Sequence, residues 1–386
     1  VLVATGVLMA FNLDVRFEET LARDASLPAV LVDPTRGLEN SAAVQGRLAS
    51  LRPQSRFQLA AKRARVMLPD LGPAPGFTDT QQWFNTPGGR PLTLTGLRGH
   101  VVLVDFWTYT CINCIRTLPF VEGLWRHYHR YGLEVVGVET PEFTFEQIAS
   151  NVQQAIRSDG ITYPVVQDNR YGTWNAYQNQ YWPAEYLIDA RGNVRHTQFG
   201  EGSYGEDERD VRALLAAAGA HHLPPPMTAR AIIPSRQIGT PETYLNPQRA
   251  QGFAVPLVRG ERSYTAPALS SLGLNEWALS GRWQVGSQSI TPAGAAGSLS
   301  VIEGAVQARD VYLVLTSASG VPRRGRVLLG GAPIPSRLRG SDVGPGGWFT
   351  VRSERLYNLV RLRADAGMRL TVELPPGVSA YDFTFG

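Results

Sequence analysis

The sequence predicts an α/β layered domain followed by an all-β sandwich. Three observations carry this. Between residues 76 and 219, buried-strand runs alternate with amphipathic helical stretches, which is the pattern of an α/β layer structure. From residue 241 on, the helical period disappears and short strands come spaced by Gly, Pro and Ser turns. The charge changes at the same place: 76–219 carries 11 basic and 16 acidic residues, a net −5, whereas 220–386 carries 17 basic and 10 acidic, a net +7. A chain of 386 residues is long for one core. The expected organisation is therefore a leading segment over 1–75, an α/β domain over 76–219, a linker over 220–240 and a β-domain over 241–386.

The leading segment opens with VLVATGVLMAF, 11 mostly apolar residues. A membrane span needs about 20 such residues, so Val1–Phe11 is either a short packed segment or the last half of a span. Residues 12–35 hold five acidic and two basic residues, and 36–65 hold seven basic and one acidic. An acidic flank nearest the membrane fits an outward-facing chain. LPDLGPAPGF (68–77) then reads as a Pro/Gly-rich connection.

In the α/β region, QQWFN, TPGGR and PLTL read as a hairpin. VVLVDFW (101–107) is a continuous apolar run with one Asp, expected for a strand buried on both faces. Leu118, Val121, Trp125 and Tyr128 keep a helical spacing. LEVVGVE (133–139) is a second buried strand. Glu139, at its end, reads as solvated. Thr144 and Gln147 make a capping box for a helix whose apolar face is Phe145, Ile148, Val152 and Ile156. YPVVQ and EYLIDARGNVRHTQF add strands, the latter turning at Arg191–Asn193. Ser203 and Glu206 cap a final helix that stops at Gly219. PPPM (224–227) falls in the linker. In the β-domain, DVYLVLT, GRVLLG, WFTVRS, MRLTVEL and AYDFTFG read as strands.

No basic run is interleaved with aromatics, so nucleic acid is not an expected partner. Lys62 is the only lysine, a compositional bias toward arginine.

Cys111 and Cys114 are the only two cysteines. A closed zinc site needs four ligands, and no spaced histidine pair supplies the rest. Haem attachment would need His after Cys114, where Ile115 stands. A disulfide closing so small a loop stabilises a fold by only about 2 kcal/mol. Redox exchange remains the best use of the pair. Cys111 lies where a strand has ended and a helix should begin, facing the unpaired N–H groups and positive end of that helix. These favour the thiolate, the species that attacks a disulfide. Cys114, one turn further in, is the thiol that attacks the mixed disulfide and releases the reduced partner.

Asp105, Cys111, Cys114 and Pro119 together resemble thioredoxin, with Asp six residues before the first cysteine and Pro eight after it. TYTCINC and YWPAEYLIDARGNVRH resemble more specifically the DipZ type, in which a CcdA/DsbD-like membrane domain precedes a TlpA-like thioredoxin domain and a carbohydrate-binding-module-like, jelly-roll-like sandwich. The resemblance implies a thioredoxin-like fold and a membrane-anchored, extracytoplasmic protein-disulfide reductase. Its electrons would come from the CcdA-like domain, its substrates would be disulfide-bearing proteins, and it would need no cofactor beyond the dithiol. It further implies that Asp105 shuttles the proton of Cys114, that Pro183 lies where thioredoxins carry a cis-proline facing the dithiol, and that Trp107 packs beside it. Trp107, Trp182 and Pro183 are the candidate substrate-binding residues. A peroxidase is a variant reading, because Thr108 and Cys111 match part of the peroxiredoxin motif, although Val104 stands where that motif has proline.

The β-domain offers a second class of function, binding. Sugars stack on exposed aromatic faces, and Tyr244, Tyr264, Trp277, Trp283, Trp348, Tyr357 and Tyr381 are the candidates for a glycan. No acidic calcium loop is present, so no metal is expected.

Overall fold

Seven consecutive buried residues, Val101–Trp107, form the strand on which the first domain is built. The computed structural model describes residues 68–227 and 239–386. The expected membrane segment at Val1–Phe11 and part of the expected linker lie outside the described residues. Among the described residues no helix is long and apolar enough to cross a membrane.

The first sheet has six strands: β1 (Trp83–Phe84), β2 (Val101–Trp107), β3 (Leu133–Glu139), β4 (Val165–Gln167), β5 (Ala184–Ile188) and β6 (Val194–Phe199). Their order is β1-β4-β3-β2-β5-β6. β2, β3 and β4 run parallel, and β5 joins β2 antiparallel, with Asp105 opposite Glu185. Alternation along the strands divides the core into two faces. Leu103, Trp107 and Leu187 pack with α1 (Ile112–Tyr128), α2 (Ala149–Ser158) and α4 (Tyr204–Ala217). Val102, Val104, Phe106 and Tyr186 pack on the other face with Trp174 of α3 (Gly172–Ala176). α1 buries Leu118, Val121, Leu124 and Tyr128, as their spacing requires.

Three local readings are corrected. PLTL is not a strand; Trp83–Phe84 pairs instead with the open edge of β4, at Val165 and Val166. The turn before α2 is closed by Glu146, whose Oε2 accepts from the backbone N–H of Glu142 (2.6 Å) and Phe143 (2.8 Å), so it lies one residue earlier than the Thr144–Gln147 pair. Ser203 precedes α4 with positive φ and no side-chain cap, and its carbonyl accepts from Glu206 N–H at 2.7 Å.

The second domain is all-β. Its strands are β7 (Thr243–Tyr244), β8 (Gly260–Tyr264), β9 (Trp277–Val285), β10 (Ile290–Pro292), β11 (Ser300–Ser317), β12 (Arg323–Leu329), β13 (Ala332–Pro333), β14 (Trp348–Val351), β15 (Arg355–Leu374) and β16 (Val378–Phe385). β11 pairs with β16, β16 with β10, β10 with β9, and β9 again with β11. This closes a small four-strand barrel, onto which β7, β8, β12, β13, β14 and β15 are added. The all-β class agrees with the sequence, but one connected ladder network takes the place of a jelly-roll sandwich. The reason is strand length: β11 has 18 residues and β15 has 20, long enough to serve both sides of the core. Gly304 on β11 permits a close approach, since a Cβ there would lie 2.5 Å from the Trp277 ring.

The two domains share packed surface. Val314 and Leu356 join the α/β core, and Tyr381 meets Phe143 and Phe145 at ring distances of 5.0 and 4.9 Å. The Tyr244 hydroxyl lies 2.8 Å from Glu142 Oε1 and 2.6 Å from Glu242 Oε2. Arg249 bonds Glu142 at 2.7 Å with its guanidinium 3.2 Å over the Tyr244 ring.

Candidate active site

The buried strand β2 ends at Trp107, and Thr108–Thr110 turn the chain into α1. Cys111 is the N-cap of that helix in extended conformation, its carbonyl accepting from Ile115 N–H at 3.0 Å. Its sulfur accepts from the backbone N–H of Cys114 at 3.2 Å. An N–H aimed at a sulfur at the positive end of a helix stabilises negative charge there. Cys111 is half-buried, Cys114 is buried, and the two sulfurs lie near disulfide distance. Burial first, then the neighbouring Cys111, and then the charge of Asp105 hold the Cys114 thiol well above its ordinary range. The site thus has one accessible sulfur and one shielded thiol that stays protonated until it is used.

Asp105 sits on β2 on the side of the sheet facing α1, 1% exposed. Burial raises its carboxyl to about 7, and its Oδ1 has no hydrogen-bond partner among the described residues. A carboxyl with that affinity can take and return a proton near neutrality. Trp107 is fully buried, in one packed cluster with Cys114, and the edges of Cys111 and Trp182 rest on that cluster. Trp107 therefore shapes the site from beneath and offers no open face. Trp182 is half-buried, donates its Nε1–H to Thr140 O at 3.1 Å and packs on Trp174 at 4.3 Å. The Trp182–Pro183 bond is cis, and Pro183 is buried with its carbonyl accepting from Gly200 N–H at 2.9 Å.

Glu139 is not solvated as expected. It is 0% exposed, and burial followed by the charge of Glu146 pushes its carboxyl well up. Thr108 Oγ1 donates to it at 3.3 Å. Glu185, opposite Asp105, was also not singled out from the sequence. Its signal was the same as that of Asp105: one acid inside an apolar run, PAEYLI.

In the β-domain, the aromatic residues weighed for a glycan are occupied by packing. Tyr244, Tyr264, Trp277, Trp283 and Tyr357 are buried. Trp348 lies under the guanidinium groups of Arg324 and Arg326, and Tyr381 is held by Phe143 and Phe145. No open aromatic platform remains among them.

Residues 72–197 match the AhpC/TSA family, and 240–386 match the family described as thioredoxin like C-terminal domain. The thiol-disulfide oxidoreductase YkuV of Bacillus subtilis is 28% identical over 144 residues, 37% of this chain and 95% of its own. The thiol-disulfide oxidoreductase ResA of Geobacillus thermodenitrificans is 33% identical over 107 residues, 28% of this chain and 59% of its own. With a helix-capping dithiol over a buried acid, the chain is a thioredoxin-like thiol–disulfide oxidoreductase. It is a homologue of protein DipZ: the Mycobacterium tuberculosis protein of that name is 38% identical over 323 residues, 83% of this chain. The chain spans about 44% of that relative's length.

Proposed function

We propose that the chain is the extracytoplasmic, membrane-linked part of a protein-disulfide reductase. Cys111 attacks a substrate disulfide, Cys114 resolves the mixed disulfide, and Asp105 holds the proton that Cys114 gives up. Electrons return to the dithiol from a CcdA/DsbD-like membrane domain. The α/β domain spans 76–219 and the β-domain 241–386, joined by 220–240. Trp182 and Pro183 border the groove for an extended substrate segment, and Trp107 supports it from below.

The observation that carries this reading is the unequal pair: a half-buried Cys111 sulfur taking the N–H of a buried Cys114 at 3.2 Å. The test is insulin reduction. Cys111→Ser should abolish it, and Cys114→Ser should trap the substrate on Cys111 as a stable mixed disulfide. Full insulin reduction by Cys111→Ser would overturn the assignment.

A thiol peroxidase is the second reading, favoured by the AhpC/TSA match. Against it, the Thr108 hydroxyl is directed to Glu139 at 3.3 Å. Rapid peroxide consumption with Cys111 as the sole nucleophile would support it over the reductase.

A further inference from the structure

Glu185 lies in the buried strand Ala184–Ile188, directly opposite Asp105. Ala184, Tyr186 and Ile188 enter the core on the side of α3, so Glu185 and Leu187 turn toward α1 and α4. Glu185 is 4% exposed and forms no ion pair among the described residues. Directly opposite residues on one face have Cβ atoms about 5 Å apart. Two buried carboxyls so placed cannot both be ionised at acceptable cost, so one proton is held between them.

The carboxyls continue outward. On β6, His196 pairs across from Leu187. Its Nε2 lies 3.0 Å from Asp207 Oδ1 and its Nδ1 2.9 Å from Asp210 Oδ2, both on α4. Asp207 is 5% exposed at its side chain, while His196 and Asp210 reach 19% and 20%. The second oxygen of Asp207 is buried without a hydrogen-bond partner among the described residues. Between Asp105, itself closed to water, and the surface thus stand Glu185, whose carboxyl feels the charges of both Asp105 and Asp207, and the Asp207–His196–Asp210 cluster. The titratable groups facing Glu185 are Asp105 from β2, His196 from β6, Asp207 and Tyr204 from α4, and Tyr163 from the stretch before β4.

We propose that Glu185 is the proton outlet of the dithiol, passing the proton that Asp105 takes from Cys114 to the Asp207–His196–Asp210 cluster and so to water. This rests on the role assigned to Asp105 above. In the resolving step the Cys111–Cys114 S–S bond forms and the bond from Cys111 to the substrate sulfur breaks. The substrate sulfur leaves with that electron pair and takes a proton from water. The Cys114 S–H proton moves to the Asp105 carboxylate; Glu185, already protonated, gives its own proton to Asp207 and takes that of Asp105 in its place, and the proton leaves outward through His196 and Asp210 to water. Two electrons pass from the dithiol to the substrate. Glu185 touches none of the sulfurs and acts only through Asp105, as a positioning residue. Burial first, then the charges of Asp207 and Asp105, push its carboxyl well above the usual range, so it binds a proton at neutral pH.

The test uses the full reduced chain and dithiobis-nitrobenzoate. The coloured thiol appears once when Cys111 attacks and again when Cys114 resolves, so the second phase reads the step in question across pH. Glu185→Gln should slow the second phase by about tenfold or more and flatten its pH profile, without the same slowing of the first. Asp207→Asn should slow it in the same direction. Glu185→Gln added to Asp105→Asn should slow it no further, because the two act in series. If Asp105→Asn slows the second phase while Glu185→Gln and Asp207→Asn keep the parent rate and profile, the outlet is overturned and the Asp105 role stands. If Asp105→Asn itself changes nothing, the Asp105 role fails and the outlet with it. Equal slowing of both phases by Glu185→Gln would mean general disturbance and would also overturn it. Should that variant not fold, an unchanged profile in Asp207→Asn would overturn the proposal.

Discussion

Asp105→Asn should make the protein more stable at neutral pH while slowing its thiol chemistry. Asp105 is 1% exposed, and burial raises its carboxyl from 3.8 to about 7. A group whose folded pKa lies above its unfolded value favours the folded state when protonated. Its contribution is fully present below the unfolded value and is lost as pH rises to the folded one. The shift is about 3 units, each about 1.4 kcal/mol, so the ionised aspartate opposes folding by about 4 kcal/mol above pH 7. At pH 5 the same linkage leaves about 2 kcal/mol, and below pH 4 almost nothing. Asparagine keeps the shape and cannot ionise, so the variant should gain that difference. Hydrogen exchange of the β2 and β5 amides, with denaturant unfolding at pH 4 to 8, reads it. The gain should grow between pH 4 and 7 and then level off. A variant no more stable than the parent at pH 8, or a gain independent of pH, would refute the reasoning that desolvation sets this carboxyl.

Three further outcomes follow from other parts of the molecule. His196 is raised to about 10, because Asp207 and Asp210 outweigh the burial that would lower it; His196→Gln should lose about 2 kcal/mol at pH 6 and below, a gap that closes as pH rises through about 10, in urea unfolding at several pH values. Gly304→Ala drives a methyl to 2.5 Å from the Trp277 ring and should cost about 1–3 kcal/mol, seen as a lower melting temperature with near-UV change. Arg249→Ala removes the cation that faces Glu142 and stacks on Tyr244; a loss of about 1–2 kcal/mol at pH 7, by thermal unfolding, is expected.

The features legible in the sequence were those encoded over a few residues. The run VVLVDFW became β2, the spacing from Leu118 to Tyr128 became α1, and Cys111 lay at the helix start because strand end and helix pattern bracket it. What escaped depends on partners distant in the chain. Glu139 read as solvated because nothing local announces its burial. Trp83–Phe84 found the edge of β4 instead of PLTL, a choice made by which edge was open. The 18- and 20-residue strands were missed at RDV and RADAG, where polar residues interrupt the apolar pattern although the ladder continues with register shifts. Five of the seven aromatic residues weighed for sugar are core for the same reason: alternation tells which residues share a side, and only the closed ladder tells which side is inside.

The closure of β9, β10, β11 and β16 has a consequence for the company such a protein keeps. An extended polypeptide with unpaired backbone amides can add to any open strand edge that this protein presents. Four of its β-domain strands have no margin left on which a stray chain could build. At the two ends of the strand order the margins are poor templates: Ala332–Pro333 is two residues long with a proline, and Gly260–Tyr264 holds Glu261 and Arg262 outward. The closed part of the β-domain is thus protected from growing by strand addition.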